Sequence, residues 1–145
     1  MKALITGGAG FFGTVLKQYL SEKGAESIIY DLVPDTDRVK NTVAVQGDLC
    51  NESQLEACFR QYGPFDVVYH LAAQLAHNVK DKNFLWQSNV EGTRRLAEMS
   101  VKHKVPHLVF TSSSCLWGIP MGKKIAEEEP PHPVEIYGKS KWEGE

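Results

Sequence analysis

Tyr137 and Lys141 are the residues of this sequence whose types and spacing most directly suggest chemistry. They stand four positions apart, so on a helix they share one face. A free tyrosine has a pKa of about 10, too high for a base at neutral pH, but a nearby ammonium group favours the phenolate. The pair therefore predicts proton transfer, with the Tyr137 oxygen accepting a proton from a hydroxyl group.

A glycine-rich segment, Thr6-Gly7-Gly8-Ala9-Gly10-Phe11-Phe12-Gly13, lies between a short apolar run and a helical pattern. Phosphate-binding turns occur at this place in α/β proteins. Gly7 permits a tight turn, Gly10 lets the backbone approach a pyrophosphate, and Gly13 lets the helix pack close to the sheet. The helix N-terminus would offer N–H groups to that pyrophosphate. On this motif alone, a glycine-rich turn without a ligand is the alternative.

Asp31 follows Gly13 by 18 positions and ends the next apolar run. An acidic residue about 20 positions after such a turn accepts hydrogen bonds from the adenosine ribose hydroxyls of NAD. Its charge would repel a 2′-phosphate, and the next residues, Leu32 and Val33, include no arginine that would attract one. The predicted cofactor is therefore NAD.

The three-and-three glycine spacing and the Tyr137–Lys141 pair resemble the extended short-chain dehydrogenase/reductase family, the NAD-dependent epimerase/dehydratases. The resemblance runs through the whole chain. Further matching motifs are Asp48-Leu49, His70-Leu71-Ala72-Ala73, Asn89 in Ser-Asn-Val-Glu-Gly-Thr, and Thr111-Ser-Ser-Ser-Cys-Leu-Trp-Gly118. So many elements in the family's order make chance a poor explanation.

The resemblance implies a role for each matching residue. Ser113, Tyr137 and Lys141 would be catalytic, with Ser113 against the substrate oxygen and Lys141 also hydrogen-bonding the nicotinamide ribose. No metal site is expected. The cofactor-binding residues implied are Gly7, Gly10, Phe11, Phe12, Gly13, Asp31, Asp48, Leu49, Leu71, Ala72, Ala73, Asn89, Tyr137 and Lys141.

Cys115 occupies the position, two after the serine, that in the family reaches toward the sugar ring. The family's 4,6-dehydratases carry an aspartate–glutamate pair at the places of Ser114 and Cys115, so their absence speaks against dehydration. The 3,5-epimerases of GDP-sugars have a cysteine there, but usually with proline where this chain has Gly118. Inert packing is the commoner role for such a cysteine. His77, in the loop after the fourth strand, could also contact substrate.

The function that this resemblance favours is 4-epimerisation of a nucleotide-diphosphate sugar through a transient keto-sugar. Alternatives are a net NAD-dependent oxidoreductase acting on a steroid or sugar alcohol, a 3,5-epimerase, and a protein that binds NAD without turnover. The intact Ser113, Tyr137 and Lys141 argue against the last of these.

The elements that must position these residues alternate between short β-rich runs and helical patterns, which predicts a doubly wound, Rossmann-type parallel sheet with helices on both faces. We expect NAD at the switch point between the first and fourth strands. Predicted strands are Lys2–Thr6, Ser27–Tyr30, Thr42–Gln46, Asp66–Leu71 and Leu108–Thr111.

Four helices are predicted between and after these strands. The first buries Phe12, Val15, Leu16, Tyr19 and Leu20 and ends at Gly24. The second is capped by Asn51 or Ser53 and runs to about Tyr62. The third runs from about Asn83 to Lys104 and buries Val90, Thr93, Ala97 and Val101, and the last begins near Tyr137.

Composition places the chain among globular proteins, with 42% hydrophobic and 23% charged residues. A net charge of −2 without a basic run gives no footprint for nucleic acid or an anionic membrane. Three cysteines without paired spacing favour a reducing cytoplasm. We expect one NAD-binding domain over residues 1–145, a fragment of a longer protein without its C-terminal substrate domain. The family resemblance also implies that the protein can form a homodimer.

Overall fold

Five parallel strands form the single sheet of the computed structural model, which describes residues 1–75, 81–119, 122 and 124–145. The strands are β1 (Lys2–Thr6), β2 (Glu26–Asp31), β3 (Thr42–Gln46), β4 (Val67–His70) and β5 (His107–Phe110). Their order is β3-β2-β1-β4-β5. The chain therefore runs outward from β1 to β3 and returns to β4 on the other side of β1, and the order reverses between β1 and β4, as predicted.

The helices lie between the strands and after β5. They are α1 (Phe11–Glu22), α2 (Glu52–Tyr62), α3 (Lys82–Trp86), a π-helix (Gln87–Glu91), α4 (Gly92–Lys102), a 3₁₀-helix (Ser114–Trp117) and α5 (Ile136–Gly144). Asn51, rather than Ser53, caps α2, because its side chain accepts from the Gln54 N–H. Across the part of the chain that the structure describes, no helix combines the length and the apolar character that crossing a bilayer requires.

Both faces of the sheet are covered, because successive side chains of a strand point to opposite faces. Ala3 and Ile5 of β1 pack with Leu20 of α1 on one face. On the other face Leu4 packs in a cluster that includes Phe59 of α2 and Leu96 of α4. The predicted doubly wound α/β fold with helices on both faces is confirmed.

The buried face of α1 differs from the predicted one. Leu20 is buried and Leu16 is partly buried, as predicted. Phe12, Val15 and Tyr19 are all more than half exposed, and Gly13 and Lys17 are buried instead. A Cβ atom on Gly13 would lie 2.4 Å from the Gly8 Cα, so the absence of a side chain there lets the helix approach along this face. The apolar periodicity therefore indicated only part of the buried face of α1, because a charged residue such as Lys17 adds nothing to an apolar pattern.

The predicted long helix is divided into three parts, and its buried face is also shifted. Of the residues predicted to be buried, Thr93 is buried and Val90 and Ala97 are half-buried. The fourth, Val101, is 78% exposed. The π-helix closes i→i+5 hydrogen bonds and so takes more residues per turn than an α-helix. This changes which residues face the sheet, and Leu96 is fully buried instead.

Leu96→Ala should therefore lower the free energy of unfolding by about 2–5 kcal/mol, the usual cost of truncating a buried leucine. Val101→Ala, on the same helix but exposed, should change it by no more than about 0.5 kcal/mol. Urea denaturation of both variants measures the difference. Equal effects would contradict the observed orientation of α4.

Candidate functional site

The turn after β1 touches the segment after β4, backbone against backbone. Gly7 has a positive φ of 72°, and its N–H donates to the Tyr30 carbonyl at 3.0 Å. A Cβ on Gly7 would lie 2.5 Å from the Ala72 nitrogen. Any side chain at Gly7 would separate these segments, so this position requires glycine.

Gly10 stands in a different environment. Its only near neighbour for a Cβ atom would be the Gly7 carbonyl oxygen at 3.3 Å. Gly10 precedes α1, and no side chain caps this helix start, whereas side chains of Asn51, Asp81 and Glu135 cap α2, α3 and α5. The first N–H groups of α1 therefore face open space in which an anion could bind.

Asp31 ties the end of β2 to the glycine-rich turn. One carboxylate oxygen accepts from the Ala9 N–H at 3.0 Å, and the other accepts from the Val33 N–H at 3.1 Å. These two bonds hold the carboxylate at the carboxyl end of the sheet. Each oxygen retains a lone pair that a ligand hydroxyl could use.

A cavity of about 490 Å³ opens at this end of the sheet, over the switch point between β1 and β4. All the predicted cofactor-binding residues except Asn89 line it. The residues that line it without having been predicted are Ala9, Tyr30, Leu32, Val33, Gly47, Gln74, Leu75, Phe84, Ser88 and Thr111. Phe84 and Ser88 are four apart on α3 and the π-helix, a spacing from which a shared face could have been recognised.

Asn89 lies behind this wall. Its side-chain oxygen accepts from the Gln74 N–H at 2.7 Å, and its amide group donates to the Gln74 carbonyl and to the Ser140 hydroxyl, both at 3.0 Å. Asn89 is 2% exposed. It therefore positions Gln74, which does line the cavity, and its direct contact with the cofactor stays a prediction.

Tyr137 lies on the cavity wall and is connected to Ser113 and Cys115, which are not part of the wall. Burial raises the pKa of Tyr137, the nearby Cys115 raises it further, and a hydrogen bond with Ser113 opposes both. Glu135, whose carboxylate caps α5 at the Tyr137 and Gly138 N–H groups, also raises it. The predicted lowering of this pKa by Lys141 is not what the protein residues produce by themselves.

Lys141 lies on the wall beside Tyr137, as the helical spacing predicted, and is 3% exposed. Its ammonium nitrogen stands 4.1 Å from the centroid of the Phe110 ring, a cation–π geometry. Burial lowers the pKa of Lys141 to about 8, and Glu145 opposes this shift. Lys141 is the one cationic side chain on the described cavity wall.

His70 supports this arrangement from within the sheet. Its two ring nitrogens are hydrogen-bonded to the hydroxyls of Thr6 at 2.6 Å and Thr93 at 2.8 Å, and its ring stacks on Phe110 at 5.5 Å. Burial, helped by the charge of Lys141, lowers the pKa of His70 to about 3. His70 is therefore neutral at pH 7, and the positive charge at this end of the sheet rests on Lys141.

The two residues predicted to face the substrate, Cys115 and His77, have different outcomes. Cys115 is a half-buried free thiol directly after Ser114, and its N–H donates to the Ser113 hydroxyl at 3.2 Å. Its influence on the pKa of Tyr137 shows that it lies near that side chain. His77 lies outside the described residues.

Comparison with known proteins gives a consistent result. Residues 3–145 match the model of the NAD dependent epimerase/dehydratase family. The UDP-glucose 4-epimerase of Streptomyces lividans is 34% identical over 145 residues, which cover 97% of this chain and 44% of that protein. The cofactor named for the family is the predicted one.

Two solved structures resemble the fold closely. The Bordetella bronchiseptica enzyme WbmG in complex with NAD and UDP is 28% identical with a TM-score of 0.88, covering 98% of this chain and 47% of that chain. The Thermus thermophilus UDP-glucose 4-epimerase in complex with NAD is 31% identical with a TM-score of 0.85, covering 97% and 47%. The chain thus spans less than half the length of these relatives.

Proposed function

This chain belongs to the NAD-dependent epimerase/dehydratase family, and we propose that the protein containing it binds NAD in the cavity beside α1 and epimerises a nucleotide-diphosphate sugar at C4. The observation that carries the proposal is the uncapped N-terminus of α1, which opens on the same cavity as Asp31, Tyr137 and Lys141. An anion site, a ribose acceptor and a proton-transfer pair thereby lie along one wall.

The residues fit a dinucleotide from end to end. Asp31, Leu32 and Val33 lie at the β2 end of the wall and suit an adenosine ribose, and the open backbone at Gly10 suits a pyrophosphate. Tyr137 and Lys141 lie on α5, where the nicotinamide ribose would be. When bound, NAD supplies a reversible hydride acceptor for the C4 position of the sugar.

Tyr137 would take the proton from the C4 hydroxyl and return it after the keto-sugar turns. Because the pKa of Tyr137 is raised in the protein alone, the positive charge of the oxidised nicotinamide is the additional influence that would favour the phenolate. Ser113 would share the substrate oxygen, since it lies near enough to Tyr137 to oppose the rise in the pKa of that residue. Lys141 would hydrogen-bond the ribose, because its ammonium faces an aromatic ring rather than a carboxylate.

The sugar nucleotide as substrate is supported by the similarity to a UDP-glucose 4-epimerase and to an enzyme crystallised with UDP. An epimerase regenerates its cofactor in each cycle. A net oxidoreductase of the same family would instead accumulate NADH in the steady state.

We expect NAD to bind much more tightly than NADP, because Asp31 would accept from the ribose hydroxyls and repel a 2′-phosphate. Asp31→Asn should narrow the preference by roughly ten- to a hundredfold, since hydrogen bonds to charged groups are worth about 1.5–3 kcal/mol. Titration calorimetry on the full-length protein measures both affinities. Asp66→Asn, at the opposite end of the sheet and exposed, is the control, and equal affinities in the wild type would remove the role of Asp31.

Tyr137→Phe keeps the ring and removes the acid/base oxygen, so turnover should fall by about 10²–10⁴-fold, as for a lost general base. Binding of NAD should survive. The matched control is Tyr19→Phe, which removes an exposed hydroxyl on α1. Turnover near that of the wild type would show that another residue transfers the proton.

Solvent-deuterium incorporation, measured with and without the Cys115 thiol, distinguishes C4 epimerisation from 3,5-epimerisation. A C4 epimerase returns the abstracted hydride from the cofactor, so a reaction in deuterium oxide should give a product without carbon-bound deuterium by mass spectrometry. Cys115→Ser should then change stability more than turnover per folded molecule, as should Cys50→Ser at the other half-buried thiol. Deuterium at a ring carbon, lost in Cys115→Ser, would favour 3,5-epimerisation instead.

A further inference from the structure

Lys17 is a charged side chain in the core that neither the fold nor the reaction so far explains. It projects from α1, and none of its side chain is exposed. Its ammonium nitrogen lies 2.6 Å from both carboxylate oxygens of Asp35 and 3.0 Å from an oxygen of Asp37. It also contacts the Gly8 carbonyl oxygen at 3.4 Å.

A fully buried lysine is rare because removing an ammonium group from water is costly unless acceptors replace the water. Here two carboxylates and a carbonyl replace it. Asp35 is itself 5% exposed, and its Oδ1 accepts from the Asp37 N–H at 3.1 Å. Thr14, one turn before Lys17, donates its hydroxyl to Asp37 at 2.8 Å. We call the group formed by Thr14, Lys17, Asp35 and Asp37 the lysine clamp. The polar side-chain groups of the lysine clamp thus have hydrogen-bond or ion-pair partners within it.

The lysine clamp joins the two backbone segments that form one end of the cavity. Gly8 belongs to the glycine-rich turn, and Asp35 and Asp37 belong to the loop of residues 32–41 between β2 and β3. That loop begins with Leu32 and Val33, which line the cavity directly after Asp31. One buried ammonium group therefore fixes the distance between the pyrophosphate side and the adenosine side of the site.

A direct phosphate-binding role for Lys17 does not fit these contacts. Lys17 is absent from the described cavity wall, and its ammonium group is bonded to Asp35 and Asp37, which do not line that wall either. Its single positive charge is more than balanced by these two carboxylates. Lys17 therefore acts on a ligand through the backbone rather than by touching it.

We propose that Lys17 is a positioning residue for the adenosine diphosphate end of NAD, acting by clamping the 32–41 loop to the glycine-rich turn. The inference rests on the proposed NAD binding. Loss of the clamp would let the loop move away from Asp31 and would weaken binding of any ligand that contains adenosine diphosphate. Movement of this loop can be followed by trypsin cleavage, because Arg38 and Lys40 are exposed trypsin sites within it.

The test uses the full-length protein and the double variant Lys17→Met/Asp35→Leu, which removes the buried charges together and leaves neither unpaired. Lys23→Met, the same substitution at an exposed residue following the same helix, is the control. Limited trypsin digestion with mass spectrometry follows cleavage after Arg38 and Lys40, and calorimetry measures the affinities for ADP and NAD.

The double variant should be cut at these two sites at least about tenfold faster than the control, and it should lose at least about tenfold in affinity for ADP, one decade of Kd. The loss for NAD should be the same factor, because the change lies at the adenosine end. Cleavage and ADP affinity equal to the control in a folded double variant would overturn the inference. So would faster cleavage with unchanged ADP affinity.

If the double variant does not fold, Asp37→Asn decides the matter, because that side chain is 42% exposed and its loss removes only the outer contact of the clamp. It should shift cleavage and ADP affinity in the same direction by a smaller factor, and no shift would overturn the inference. A wild-type protein that binds neither NAD nor ADP would instead refute the proposed cofactor binding, a result distinct from a variant that matches its control.

Discussion

The contact between the backbone at Gly7 and the backbone at Ala72 is the constraint on which the rest of the site depends. Because a Cβ at Gly7 would come within 2.5 Å of the Ala72 nitrogen, the turn after β1 can lie directly against the segment after β4. The two carboxyl ends of the strands then meet without side chains between them. With the two segments in contact, the N-terminus of α1 lies on the same cavity as Asp31 and as Tyr137 and Lys141 of α5.

A chain of neutral, buried hydrogen bonds carries this geometry across the sheet to α5. It passes from Thr6 through His70 to Thr93, whose hydroxyl donates to the Asn89 carbonyl at 2.6 Å. The Asn89 side chain then reaches Ser140, the residue before Lys141. Since every member is uncharged at neutral pH, burial costs little once each polar group is paired. The ammonium of Lys141 can therefore be held by position and by the Phe110 ring rather than by a competing carboxylate.

The sequence was sufficient to predict those elements and residue positions that depend on a local pattern. The strands, the glycine-rich turn, the place of Asp31 and the shared face of Tyr137 and Lys141 all depend on spacing within one or two elements, and the structure has them where they were expected.

Sequence reasoning failed where a partner distant in the chain decides. Lys17 is buried against Asp35, which lies 18 positions away in a loop, and the buried Asn89 side chain is held by Gln74 and by Ser140, which lies 51 positions away. The π-helix likewise has no periodic signal that would distinguish it from the helices beside it.

Because no side chain caps α1, the folded protein would be more stable with a ligand at the N-terminus of this helix than without one. The other helices that begin after a loop satisfy their first N–H groups with a side chain of their own, whereas no side chain does so for α1. A ligand that bound there in the folded chain alone would stabilise the fold by RT ln(1 + [L]/Kd), a gain that keeps rising with ligand concentration after the site is filled. The resistance of this domain to heat would then depend on the concentration of that ligand as well as on the chain.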